Sequence, residues 1–149
     1  MSEIKKKPKK VFQEGPITAE KIGNSIANHQ MKTNIGAHDI FLGQVRADEI
    51  EGKTVVGIDY SAHEEMAEKA FYEIREAAFE KFDLTCMHIY HSLGRINTGE
   101  ICLFVFTSSA HRKEAMDACR FIVEEIKANV PVFGKEVFED ESHVWKVNK

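Results

Sequence analysis

The fold turns on ICLFVF (101–106) and the residues that follow it, TSSAHRKEAMDACRFIVEEIKANVPVFGKE (107–136). The six apolar residues are too short a run for a helix and predict a buried strand. Thr107, Ser108 and Ser109 come next, side chains suited to accepting hydrogen bonds from the free N–H groups of a helix start. Ala115, Cys119, Ile122 and Ile126 then recur at spacings of four, three and four, which is one buried helical face. Asn129 and Pro131 end the helix, because proline cannot continue the ladder and disfavours helical geometry in the residue before it.

The cations of this stretch are unusual. His111 and Arg112 fall in the first turn, where the helix dipole is already positive, so helix stability does not call for them. An anion would be favoured there by the N–H groups, the dipole and the guanidinium together. Lys127 falls in the last turn, where a lysine also complements the dipole, and Lys135 follows Gly134. A continuous helix separates Arg112 and Lys127 by about 22 Å. They serve one site only if the helix breaks or two copies of the chain share it, and the shared site is the expectation.

Outward from that core the chain predicts helix, strand, strand, helix, strand, strand, helix, strand. Gly15-Pro16 is a turn, and Thr18 caps a helix to about His29 with Ile22, Ile26 and Ala27 inward. His38–Val45 is a strand in which Gly43 signals a bulge or a close backbone approach. Gln44, Val45 and Arg46 end it, and Arg46 stands at the strand–loop junction, a common place for a functional side chain. Thr54–Tyr60 is a strand, and residues 64–82 a helix with Met66, Ala70, Ile74, Ala77 or Ala78, and Phe82 inward. Leu84–Leu93 alternates as a strand, 94–99 is a turn, and Val132–Phe138 is a last strand before a tail containing Trp145, which either packs back or docks a partner. The order gives an α+β fold: a mostly antiparallel sheet with helices on one face.

At 149 residues, 43% hydrophobic and 30% charged, the chain reads as a single domain from 13 to 149, after a disordered basic tail at 1–12. The net charge is −4, but residues 1–10 carry five lysines and one glutamate, leaving −8 on the remainder. Such a body argues against nucleic acid, so an anion site must gather cations locally. No apolar run reaches membrane-spanning length, and no signal peptide begins the chain, which points to the cytoplasm. Cys86, Cys102 and Cys119 lie in apolar patterns and read as reduced core residues. Cys86, His88 and His91 do not make a zinc site, since His91 faces away from the other two by strand parity and the usual spacings are absent. The remaining chemistry is cationic: Arg46, His111, Arg112, Lys127 and Lys135 suit a phosphate or carboxylate.

FLGQVR (41–46), IDYSAHEEM (58–66), HSLGRINTGE (91–100), TSSAHR (107–112) and EEIKANVPVFGKE (124–136) resemble the large, catalytic subunit of molybdopterin synthase, the MoaE family, from about Ile35 to Trp145. The resemblance implies an α/β-hammerhead fold and a homodimer that binds two small ubiquitin-like subunits, a heterotetramer. Each small subunit would bring a C-terminal Gly-Gly thiocarboxylate, whose sulfur passes to cyclic pyranopterin monophosphate to build the dithiolene of molybdopterin. It implies no metal and no cofactor in this subunit, and neither nucleic acid nor membrane as partner. The family's functional positions fall on Arg46, His111, Arg112 and Lys127. Gln44, Val45, Gly134, Lys135 and Glu136 complete the implied substrate-binding set. Lys127 is implied as the main catalytic group, acting electrostatically, covalently or as acid and base. A second family lysine falls on Gly134, and Lys135 beside it is expected to assist instead. The rival reading, prompted by Gly134, is a non-catalytic dimeric relative that binds the partner without moving sulfur.

Overall fold

The computed structural model describes residues 10–147. Its centre is the strand read first. Ile101–Ser109 (β6, counting strands in chain order) pairs antiparallel with Ala37–Gln44 (β2) on one side and with Cys86–Asn97 (β5) on the other. Leu103 and Val105 enter one apolar cluster, Phe104 and Phe106 another. Strand alternation sends these two sets to opposite faces, so β6 is covered on both and reads as a continuous apolar run.

The sheet continues from β5 through Lys53–Ala62 (β4) to Val132–Phe138 (β7) and His143–Trp145 (β8), giving the order β2-β6-β5-β4-β7-β8. A two-strand hairpin, Glu49–Ile50 (β3) with β4, stands off this path. The larger cluster is filled by Ala67, Phe71, Ile74 and Ala78 of Glu64–Lys81 (α2) and by Cys119, Ile122 and Ile126 of Arg112–Asn129 (α3). The helix at Ala19–Ala27 (α1), capped by Thr18 as expected, packs Ile22 against the smaller cluster of Phe104 and Phe106. The helices therefore lie on both faces of the sheet, not on one: a strand with large side chains on each face needs two covers.

Several boundaries differ from the sequence reading. The residues assigned to a basic tail include Val11 and Phe12, which are buried, and Phe12–Glu14 (β1) pairs parallel with His91–Leu93. Residues 1–9 lie outside the described residues. Residues 94–97, read as a turn, extend β5 because they pair with Gly57–Tyr60; the turn is confined to 98–100. On α2 Ile74 and Ala78 are buried as expected, but in the first half of the helix Ala67 and Phe71 are the buried residues in place of Met66 and Ala70: Met66 is exposed, while Phe71 meets Phe12 edge-on at 5.6 Å. Trp145, left open as packing back or docking, lies on β8 paired to β7 yet remains largely exposed.

The helix start also differs. Thr107, Ser108 and Ser109 are the end of β6, not caps. Thr107 Oγ1 donates to the Ala115 carbonyl at 2.7 Å and Ser109 Oγ to that of Asp83 at 2.7 Å, while Ser108 Oγ pairs with His38 Nδ1. These hydroxyls satisfy buried polar groups across elements, which outweighs a local cap. His111 is the N-cap residue and makes no side-chain capping bond. Gly36 sits under this junction, where a Cβ would come within 2.2 Å of the Ala110 carbonyl oxygen.

His91 lies in the core, ringed edge-on by Phe12 and Tyr60, with its Nδ1 2.8 Å from the Ser92 carbonyl. Burial pushes its imidazole down to about 4, the Ser92 bond opposes this, and the charge of Lys127 adds to it. Since an unfolded histidine titrates near 6.5, the unfolded chain takes up the proton first. The contribution is complete above about pH 6.5 and is lost as pH falls toward 4, up to about 3 kcal/mol. Urea unfolding of the wild type and His91→Gln at pH 7 and pH 5 should show a steeper loss of stability in the wild type.

Candidate active site

Where β2 ends, the chain enters an open cavity of about 840 Å³ bounded by β2, β4, β7, the C-terminal turn of α3 and residues 144–147. Gln44, Val45, Arg46, Lys127 and Glu136 all line it. The sequence expectations for these five residues therefore meet in one place, although almost a hundred positions separate Gln44 from Glu136.

Each is delivered by a local cause. Arg46 leaves β2 just after a register break, where Gly43 faces Leu103 but Gln44 faces Ile101, so Gly43 does mark a bulge. Its Nε and Nη2 donate to Asp48 at 3.1 and 3.2 Å, and that bond holds the exposed guanidinium further above its usual range. Lys127 is carried by α3 and, among the described residues, makes no hydrogen bond or ion pair. Glu136 is buried on β7 opposite Ile58 and lends negative potential to Arg46. The result is one engaged cation, one free cation and one buried carboxylate around open space, an arrangement that receives an anion by exchange with Asp48.

Lys135 is not in this cavity. On β7 side chains alternate, so Gly134 and Glu136 face the cavity while Lys135 points through the sheet. There it lines a separate depression with Asp59, Arg95 and His143 and lies 5.9 Å from the Trp145 ring. The expected assistance to Lys127 thus fails on strand parity within one chain. Gly134 occupies the cavity face, where a Cβ would stand 3.0 Å from Ile58 Cγ2 and 3.3 Å from Tyr60 Cε1.

His111 and Arg112 are exposed at the opposite end of an unbroken α3 and do not line the cavity. The separation expected from helix length is real in a single chain. Asp48, Tyr60 and Cys102 also line the cavity and were not singled out from sequence. The one available signal was an aspartate two positions after Arg46. Tyr60 and Cys102 look like ordinary strand residues until the sheet is assembled. Cys119, by contrast, is an inert core thiol, pushed up to about 12 by burial. Cys86 and His88 face the α1 side, where His88 Nε2 lies 2.9 Å from His29 Nε2, whereas His91 is on the other face. Among the described residues no cluster of three or more possible ligands could hold a metal.

The family model described as "MoaE protein" matches residues 12–129. A molybdopterin synthase catalytic subunit of Oryza sativa subsp. indica is 38% identical over 122 residues, 82% of this chain, and the match spans 62% of that relative's length. The crystal structure of molybdopterin synthase from Staphylococcus aureus superposes with a TM-score of 0.79 at 29% identity, over 92% of this chain and 96% of that one. A complex of subunits 1 and 2 of the molybdopterin-converting factor from Helicobacter pylori superposes equally well, TM-score 0.79, over 93% of this chain and 90% of that one. At 17% identity it speaks for the fold alone. With matched residues running from β1 to the end of α3 and taking in Gln44, Arg46 and Lys127 of the cavity wall, this chain belongs to the MoaE protein family.

Proposed function

We propose that the chain is the catalytic subunit of a molybdopterin synthase. It would pass sulfur from the C-terminal thiocarboxylate of a small ubiquitin-like subunit to cyclic pyranopterin monophosphate. The observation that carries the reading is the meeting of Arg46, Lys127 and Glu136 in one open cavity of a MoaE-family fold. Both reactants are anions, so bringing them together requires local positive charge on a body that is otherwise acidic. Arg46 forks to the phosphate, releasing Asp48. Lys127, which makes no hydrogen bond or ion pair among the described residues, meets the thiocarboxylate and balances the negative charge that develops on its carbonyl oxygen as the acyl C–S bond is cleaved. The thiocarboxylate sulfur attacks a carbon of the pterin side chain and displaces an oxygen leaving group, which joins tail and pterin as a thioester; water then cleaves the acyl C–S bond, leaving the sulfur on the pterin and a carboxylate on the tail. Gln44 and the backbone at Val45 line the same wall, and no step needs a metal or cofactor of this subunit.

His111 and Arg112 belong in this site only if they come from a second copy, so the working unit is a homodimer with two small subunits. The helix N-terminus they stand on then faces the phosphate from across the dimer. No helix among the described residues is long and apolar enough to cross a membrane. Together with three unpaired cysteines this supports a cytoplasmic setting for an enzyme of one folded unit.

Single-turnover rates, subunit mixing and substrate KM test the reading. In single-turnover conversion of the cyclic pterin with thiocarboxylated partner, Lys127→Ala should lose on the order of a hundredfold or more in rate. Lys135→Ala should stay within about threefold, as a rim charge on the far face. Tight partner binding without product from the wild type would instead identify a non-catalytic relative. Mixing Lys127→Ala with Arg112→Ala subunits under exchange should restore about a quarter of the wild-type sites, since one site of each mixed dimer is intact; a site built within one chain would recover nothing. Asp48→Asn should lower KM for the phosphorylated substrate about two- to fivefold by freeing Arg46.

A further inference from the structure

Cys102 is the extra residue of the β-bulge. Gly43 pairs with Leu103 and Gln44 with Ile101, so Cys102 has no partner across the ladder. A bulge re-aims the side chain it inserts. Cys102 would otherwise share the α1 face with Phe104. Instead it joins the larger core cluster and the wall of the cavity, beside Tyr60. There its sulfur accepts from the Tyr60 hydroxyl at 3.4 Å and donates to the Gly43 carbonyl at 3.4 Å. Gly43 leaves just enough room, since a Cβ would lie 3.7 Å from that sulfur and 3.2 Å from Leu103 Cβ. The neighbouring anchor is Val45 N–H, which donates to the Glu100 carbonyl at 3.0 Å. Three strands are thus tied at the point where Gln44, Val45 and Arg46 turn into the cavity.

We infer that Tyr60 and Cys102 are positioning residues: the chain Tyr60 hydroxyl, Cys102 thiol, Gly43 carbonyl holds the bulge in the register that presents Gln44–Arg46 to the substrate anion. The consequence for catalysis rests on the proposed function; the consequence for the backbone does not. Cys102 is buried and Tyr60 half-buried on the cavity wall, so loss of either bond leaves a polar group in largely apolar surroundings. The thiol is used here for its paired donor and acceptor capacity, not as a nucleophile.

The test sets two substitutions against each other. Cys102→Ser keeps a donor and an acceptor at reduced volume, whereas Cys102→Val keeps apolar volume without either. Tyr60→Phe removes only the hydroxyl, which covers the case in which Cys102→Val does not fold. Amide hydrogen exchange over residues 43–46 is read alongside kcat and KM for the cyclic pterin. Cys102→Val and Tyr60→Phe should speed exchange at 43–46 about fivefold or more and raise KM with little change in kcat. Cys102→Ser should exchange as the wild type does. If Cys102→Val and Tyr60→Phe match the wild type at 43–46 while Cys102→Ser loosens the whole sheet, Cys102 is core filling and the inference falls. A wild type that turns over no pterin would remove the proposed function, and the exchange measurement would still decide the role of the clamp.

Discussion

Burial of β6 on both faces is the constraint from which the rest of the structure follows. A strand carrying Leu103 and Val105 on one side and Phe104 and Phe106 on the other cannot leave either side to water without exposing large apolar area. It therefore takes a central place between β2 and β5 and needs α1 on one face and α2 and α3 on the other. That position also fixes the two ends of the strand. At one end Ser109 hands the chain to α3 and sets where His111 and Arg112 emerge. At the other the bulge at Cys102 turns β2 away and sends Arg46 into the cavity.

Charge in the cavity follows from this frame and not from overall composition. The chain outside its first ten residues is strongly acidic, yet Arg46 and Lys127 meet because a bulge and a helix end happen to abut. Each cation is held differently. Arg46 is engaged by Asp48 and must exchange partners, whereas Lys127 is unpaired among the described residues and buried His91 behind it is kept neutral by desolvation, so no charge on His91 competes there. Buried Glu136 offsets part of the positive potential without taking up either cation at contact distance. The straightness of α3 is the other determinant, since a helix of this length keeps its two ends from sharing one ligand.

Local pattern determined much of this protein. The apolar run at 101–106, the four-three-four spacing on α3, the Thr18 cap, the stop at Pro131 and the bulge signal of Gly43 were legible because they depend on interactions within a few residues. The cations at 46, 111, 112 and 127 were legible as well, since Arg112 against the helix dipole and Arg46 at a strand end are local anomalies. Tertiary structure alone decided which side of the sheet each group serves. Gly134 and Lys135 are adjacent in sequence, but the pleat of β7 assigns them to opposite faces, and only the pairing of Tyr60 with Gly134 says which face is the cavity. Val11 and Phe12 looked like the end of a charged tail until β5 offered them a free edge. Tyr60 and Cys102 acquired meaning only when β4, β6 and β2 came into register. Sequence carries the period of each element, whereas register and facing arise from contacts between residues tens of positions apart, and those contacts place the site.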